Sequence, residues 1–593
     1  MILFANEEEK KLFSGIMERY DESFDAEESM ITEWRGENGY HSRIVNRLVH
    51  SVVISLEYAY DLMCRGTKQD FQRAEDIIRK VLPLQDADPA RKTYGIWPYY
   101  LEEPLEEMNP PDWNMADFNG KKLYQMLRDY RNKISRELVP QMETALEHAC
   151  RSIMRRDMGP HYTNISIMGS YVAMAAGEYL KKEDLKEYAK ERFRKAHRFN
   201  MDHGAFQEFN SPSYTWIVIS DLAAVLSYIE DGEFRAMADD LNNLAWGCLA
   251  EHFHFRTKQW AGPHSRFYEM LQDDRLLMQI QKALDYRVSL VALDKEGLAE
   301  KLPLGFFAVQ SRCPEQYIHY FVQETKERFG YTKYVHSQEK WQEETAASYV
   351  APDCTLGTFH KSIFWNQRRN HISYFGTAEN PIYCSLKCLH DFYDYSSGLQ
   401  VTAQNKAKSL TVFGFCTDGG DTHPDLDKVK GACIEAQDLR IRFEIGGATD
   451  RVHIYRESEE SFYFDMGECR VHVTVPYAAL GRKRAVCRIT EENGHVNETG
   501  GHKETGNIKC LDIILYEGER TRLAFDSMEE CFGVIGFEIL RKGQEPQQMP
   551  EVIRERELVS ARMGDLRVEA PIKAETMQEY LKKAWAWAQD KKY

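Results

Sequence analysis

Residues 161–180, HYTNISIMGSYVAMAAGEYL, decide the fold. From Ile165 onward the stretch is apolar or small on nearly every side of a helix, with no polar face for water. A helix of that kind is enclosed by other helices. The segments around it are of the one-sided kind: RIVNRLVHSVVISLEYAYDLMCRG (43–66), VPQMETALEHACRSIMRRD (139–157) and SDLAAVLSYIEDGEFRAMADDLNNLAWGCLAEHF (220–253) carry apolar residues at helical spacing. Residues 1–305 therefore read as a helical domain.

Between these helices, polar clusters recur every 50 residues: PPDWNMADF at Asn114, HYTNIS at Asn164, FNSPSY at Tyr214 and WAGPHSR at His264. GYHSR at His41 begins the series. That interval holds two helices of roughly 17–20 residues with their loops. A repeated helical pair returns the chain to the same end each time, so the polar loops gather on one face. The expected architecture is an N-terminal (α/α) toroid of helical hairpins with an inner and an outer ring.

Beyond about residue 340 the pattern changes. GTFHKSIFWNQRRNHISYFG (357–376), SLTVFGFCTD (409–418), LRIRFEIGG (439–447), SFYFDMGECRVHVTVP (461–476) and KCLDIILYEGE (509–519) alternate or run β-branched and aromatic between Gly, Asp and Asn. Many short strands without intervening helices predict a C-terminal antiparallel β-sandwich. The division expected is 1–305 toroid, 306–340 junction, 341–571 sandwich and a closing helix over 572–593.

A net charge of −17 with no basic cluster excludes a nucleic-acid binder, since phosphate contacts need a basic face. No stretch has the apolar length of a membrane span. The beginning, MILFANEEEKKLFSG, lacks the features of a signal peptide, and thirteen cysteines stand without CxxC or a repeating interval. Both predict a cytoplasmic protein with reduced thiols. Aromatics reach 12%, a content that suits both carbohydrate-facing surfaces and ordinary cores.

Candidate chemistry concentrates in the periodic clusters. Asn164 precedes the enclosed helix and reads either as an N-cap or as an amide for an acidic sugar's carboxylate. Tyr214 stands behind Pro212 at the lip of the next apolar run, either a core aromatic or a group exchanging a proton with substrate. Glu208 and Asn210 read either as groups that orient it or as ordinary loop polars. WAGPHSRFYEM supplies His264, either a tunable base or a structural loop histidine, with Arg266 suited to a carboxylate and Tyr268 to substrate binding. His360, Arg368, Arg369 and His371 form a basic stretch in the strand region, rivalled by an ordinary solvated strand face. Trp97, with Tyr94 and Tyr99, reads either as a platform for stacking on sugar rings or as plain packing, and Asn114 is a candidate for substrate binding. His390, Asp391, Asp394, Asp421 and His423 can ligate zinc or calcium, but at no tight metal spacing, and turn chemistry explains them equally well. No phosphate-binding glycine loop, GxSxG or zinc-protease motif is present.

An apolar-helix toroid followed by a sandwich, with YTNISIMGSY and GAFQEFNSPSY at successive inner helices, resembles the heparinase II/III-like and alginate-lyase polysaccharide lyases. The resemblance implies cleavage of a uronic-acid glycan by β-elimination. Asn164 then neutralises the carboxylate, Tyr214 is the catalytic tyrosine and His360 the sandwich histidine. Many relatives have Asn-His where this chain has Asn164-Ile165, so either His264 substitutes or Tyr214 serves as both base and acid. No nucleotide or organic cofactor is implied. The partner expected is an acidic oligo- or polysaccharide, with neither nucleic acid nor membrane; a homo-oligomer is compatible. Two rivals stay open: a glycoside hydrolase using Glu208 with Asp117 or Asp202, and a non-catalytic carbohydrate-binding relative.

Overall fold

The computed structural model describes residues 4–36, 41–419, 431–493, 496–497, 502–503 and 506–588. The chain forms two compact units, one of residues 1–208, 214–247 and 273–316, the other of residues 209–213, 248–272 and 317–593.

The first unit is helical. Its principal helices are α1 (Glu7–Glu22), α2 (Val52–Arg65), α3 (Lys68–Val81), α4 (Asn114–Tyr130), α5 (Val139–Arg156), α6 (Thr163–Leu180), α7 (Glu183–His203), α8 (Pro212–Tyr228) and α9 (Gly232–His252). Burial separates them into two kinds. α6 is buried without a break from Thr163 to Gly177. α7 buries one stripe, Leu185, Ala189, Arg192, Phe193, Ala196 and Asn200, and α5 another, Met142, Ala145, Leu146, Ala149, Cys150 and Ile153. Enclosed helices thus alternate with covering ones, and the 50-residue interval is the distance from one enclosed helix N-terminus to the next.

Two readings are corrected here. Residues 43–66 are not one helix: Arg47–Ser51 is a strand paired with Met30–Arg35, and only Val52–Arg65 is helical. The series also breaks at His264, where no helix starts; the segment after Gly262-Pro263 runs irregularly until Asp274–Ala283.

Asp61 and Asp117 are among the carboxylates buried inside the helical unit. Asp61 accepts the Gly305 N–H at 2.7 Å, and burial pushes its pKa up to about 7 against the pull of that bond and of Lys122. Burial likewise raises Asp117 to about 7, opposed by Arg192 and Arg156. Raised acids favour the neutral folded form, so their stabilisation is complete below about pH 4 and is lost as pH rises through about 7. The melting temperature should therefore fall across that window. Asp61→Asn should flatten the fall by up to about 4 kcal/mol; thermal melts from pH 4 to 8 provide the check.

The second unit holds two antiparallel sheets. One runs, in order across it, Val486–Asn493, Asn507–Ala524, Cys433–Gly447, Pro381–His390, His371–Gly376, Thr355–Phe359, Glu344–Val350 and Arg328–Val335. The other runs His453–Arg456, Ser461–Asp465, Cys469–Leu480, Cys531–Arg541, Lys408–Phe415, Gly398–Asn405 and Lys361–Ile363. Leu439, Ile441, Phe443 and Ile445 from the first meet Phe413, Val471, Ile535 and Phe537 from the second in one core. The chain is thus helical hairpins followed by an antiparallel β-sandwich, the class its patterning predicts. A third layer, Glu551–Glu555, Leu558–Met563, Leu566–Pro571 and Trp585–Ala588, packs on Leu399, Val401, Leu410 and Val412.

The expected closing helix is only Met577–Lys583; the chain then forms the strand Trp585–Ala588. AWAWA decides this by alternation: Trp585 and Trp587 face out while Ala586 and Ala588 are buried. Within 306–340, Arg328–Val335 is already a strand, paired with Glu344–Val350.

Alternation along Cys433–Gly447 also places Arg440 and Arg442 on the face opposite the apolar core, yet both are buried. They close on Asp512 of the neighbouring strand. Arg440 Nη1 donates to Oδ2 at 2.8 Å, and Arg442 donates to Oδ1 from Nε at 2.6 Å and to Oδ2 from Nη2 at 2.9 Å. Thr490 adds a hydroxyl at 3.1 Å, and Glu492 takes the far side of Arg442.

Candidate functional site

The polar residues of the series open three enclosed helices of the first unit. Asn114 is the first residue of α4, Asn164 the second of α6 and Tyr214 the third of α8. Asn164 is not an N-cap. The cap position of α6, Tyr162, makes no side-chain capping bond, and Glu208 takes over the work. Its Oε2 accepts the Asn164 backbone N–H at 2.9 Å and the Asn164 Nδ2–H at 2.7 Å. One carboxylate oxygen thus satisfies a helix-end donor, answers the positive end of the helix and fixes the amide rotamer. Both residues are buried, whereas Tyr214 is half-buried in the first turn of α8.

Beneath Asn164 lies a layer of charge that the sequence did not reveal as a unit. Asn114 accepts from Arg156 Nη1 and donates to the Tyr162 hydroxyl at 3.4 Å. Arg192 Nη2 donates to the Ile165 carbonyl at 3.3 Å. Asp117 Oδ1 and Arg192 Nη1 both approach the bare face of Gly169, each 2.6 Å from where a Cβ would stand. Only glycine lets this arginine and aspartate close over the first turns of α6, so Gly169 within an otherwise close-packed helix was the available signal.

A cavity of about 390 Å³ lies within the same unit. Its walls include Met168 of α6, Trp216 and Ser220 of α8, and Lys121 and Lys122 of α4. Lys121 is paired with the buried Asp221. The volume and the mixed apolar and polar walls are those of a small-ligand site.

In the second unit, His264 is fully buried. Its Nδ1 meets the Asn210 carbonyl at 2.7 Å, and burial drops its pKa to about 3. Asn210 has φ +48° and donates to the carbonyls of Ala261 and Pro263 at 2.8 and 2.9 Å. Its Oδ1 receives the Trp260 indole N–H. Backbone bonds between His264 and Arg369 run both ways, at 3.2 and 2.9 Å. A Cβ on Gly357 would overlap the Gly262 carbonyl, so the WAGPHSR turn sits backbone-to-backbone on a strand. In this unit His264 and Asn210 hold that turn together.

Arg266, half-buried, donates to Gln367 Oε1 from Nε at 3.0 Å and from Nη2 at 2.8 Å, and to the Tyr268 hydroxyl at 3.0 Å. Arg368 donates to Ser362 Oγ at 3.1 Å and lies 3.7 Å from Glu344. His360 places Nε2 2.9 Å from the Ala586 carbonyl. Arg369 and His371 are interior, the first bonded to the Asn366 carbonyl and the second to Ser409 Oγ.

Several expectations change. Trp97 is fully buried, its indole N–H on the Val81 carbonyl at 3.1 Å, so it belongs to the core and offers no ring to a sugar. Tyr99 is likewise tied to Asp112. His390 meets the Glu435 carbonyl, and Asp391 caps the backbone of Gln437 and Asp438, which makes them turn-forming groups. Asp421 and His423 lie outside the described residues.

The fold just described is similar to that of a solved polysaccharide lyase. It is similar to the chondroitin AC lyase of Streptomyces coelicolor A3, solved with chondroitin sulphate, at a TM-score of 0.51 and 9% identity over 95% of this chain and 84% of that one. Heparinase III is similar at a TM-score of 0.45 and 10% identity, over 88% of this chain and 82% of that one. Residues 10–281 match a family described as a domain of unknown function, DUF8769. Comparison with curated proteins finds no match.

Proposed function

We propose that the protein is a lyase that cleaves a uronic-acid-containing glycan by β-elimination. The observation that carries this reading is the Asn164–Glu208 pair at the N-terminus of α6, with Tyr214 in the first turn of the next enclosed helix. A proton beside a carboxylate is weakly acidic until the carboxylate's charge is met. Glu208 holds one Asn164 amide proton, so the other is the one offered to the sugar carboxylate. The adjoining helix N-terminus favours the negative charge that develops there. Tyr214 removes the C5 proton and returns a proton to the departing O4, and the product carries a C4–C5 double bond. This assignment uses residues of the helical unit alone; His264, enclosed and hard to protonate, serves the fold of its turn.

Support against the hydrolase comes from the carboxylates. Glu208 is committed to Asn164, Asp117 is enclosed and Asp202 is exposed at the end of α7, whereas hydrolysis needs a matched pair flanking the bond. Incubation with chondroitin, heparan, alginate and polygalacturonate fragments should give a product absorbing as an unsaturated uronide. New reducing ends without that absorbance would instead support hydrolysis.

Glu208→Ala frees the amide to rotate. It should lower kcat/KM by roughly 10–100-fold, the worth of a hydrogen bond to a charged group. It should also cost stability, because the α6 end loses its acceptor. Steady-state kinetics beside melting curves separates the two effects.

A further inference from the structure

Two tight turns of the β-unit bring sulfur and oxygen together. The turn 351–354, closed by the Ala351 N–H on the Cys354 carbonyl, joins Glu344–Val350 to Thr355–Phe359 in the first sheet. The turn 466–469, closed by the Met466 N–H on the Cys469 carbonyl, joins Ser461–Asp465 to Cys469–Leu480 in the second. Cys354 and Cys469 are both buried and both free thiols. Their sulfurs and a carboxylate oxygen of Asp353 all lie within 4.8 Å of one another. From this juxtaposition of two thiols and a carboxylate across the sandwich, we infer a binding site for a soft divalent cation of the zinc class.

Three features support the inference. Thiolate, with carboxylate as a third donor, is a ligand set that zinc accepts, leaving a fourth position for water. The carboxylate is already held in place: Arg541 donates to Asp353 Oδ2 from Nε at 2.6 Å and to Oδ1 from Nη2 at 2.8 Å. Metal-ligating carboxylates are typically oriented by such a partner. A carboxylate has about four lone-pair sites, so the bidentate guanidinium does not exhaust it. The Cys469 thiol points at Oδ2 from 3.6 Å, a direction from which a cation could reach the same oxygen.

The charge balance is favourable. Asp353 and Arg541 cancel in charge. Binding proceeds as M²⁺ plus two S–H giving two metal–sulfur bonds and two protons released to solvent, so the buried charge does not change. A thiol binds a metal only after losing its proton, which an apolar surrounding opposes. The cation removes that obstacle by replacing both protons together. Half-buried Asp353 gives the route of entry.

The test titrates the full chain, stripped with chelator and kept reduced, with Cd²⁺ as the spectroscopic stand-in and Zn²⁺ in competition. A single equivalent should produce a thiolate-to-metal charge-transfer band, release two protons in weak buffer and be displaced by Zn²⁺. Cys354→Ser with Cys469→Ser should abolish the band, while Cys388→Ser, a buried thiol elsewhere, should leave it intact. Arg541→Gln should weaken binding by roughly 10–100-fold. Absence of the band in the folded wild-type chain overturns the site without recourse to any variant. So does a band of unchanged affinity in the double variant.

Discussion

Tyr214→Phe should reduce turnover on uronic-acid glycans by roughly 10²–10⁴-fold, the usual contribution of a positioned proton-transfer group. The substitution removes one hydroxyl from a half-buried ring in the first turn of α8, so melting should change little. Substrate affinity should also persist, because the carboxylate contact assigned to Asn164 is untouched. The signature is therefore a fall in kcat without a matching rise in KM. A variant retaining more than about a tenth of wild-type turnover would remove Tyr214 from the acid–base role. A non-catalytic binding protein would show no turnover in either form and equal affinity in both. Absorbance of the unsaturated product, with calorimetric binding of an oligosaccharide, reads all these outcomes.

The largest stability effect should come from Asp512→Asn. Asp512 is fully buried and takes both Arg440 and Arg442 on two oxygens. Without its charge, two buried guanidinium groups are left with Asp438, Glu492 and, 3.6 Å from Arg440, Glu517. Breaking one partner of a buried network typically costs about 3–5 kcal/mol, because the remaining charge stays desolvated. Replacing the cluster whole, with Arg440→Met, Arg442→Met, Asp438→Leu and Asp512→Leu together, should cost far less than the single change. Urea midpoints of the β-unit transition for both chains decide the matter; a single variant within about 1 kcal/mol of wild type would mean that water reaches the cluster.

Much of the fold was legible because burial leaves a periodic trace. The unbroken apolar run of α6 and the single stripe of α7 are different patterns, and the difference separates enclosed from covering helices. Short-range competition was harder to read. Arg47–Ser51 lies directly before α2, and its apolar residues join the helical pattern until the partner strand is known. The site was legible by position and less so by role. Asn164 and Tyr214 open successive enclosed helices as expected, and Asn164 looked like its own helix's cap. The capping oxygen came from Glu208, 44 residues later, a pairing that no local pattern encodes. The same distance effect misplaced Trp97, whose rim-like surroundings of Tyr, Pro and Gly hide a fully buried indole. His264 falls on the interval, yet its partners belong to the strand-bearing unit, so periodicity alone gave it the wrong company.

That last arrangement bears on how the chain acquires its structure. Residues 209–213 and 248–272 fall within the helical stretch of sequence but count with the strands in their contacts. The backbone of His264 finds Arg369 only after about a hundred further residues have been made. Helices formed early on the ribosome must therefore hold α8 and α9 with the turn at 262–264 unfinished. Contacts so distant in sequence are slow to close and expose apolar surface while they wait. A chain ended after residue 305 would keep Asn210 and His264 while losing the strand on which their turn rests. Such a fragment should be prone to aggregation, and the two halves recovered separately should not reproduce the properties of the whole.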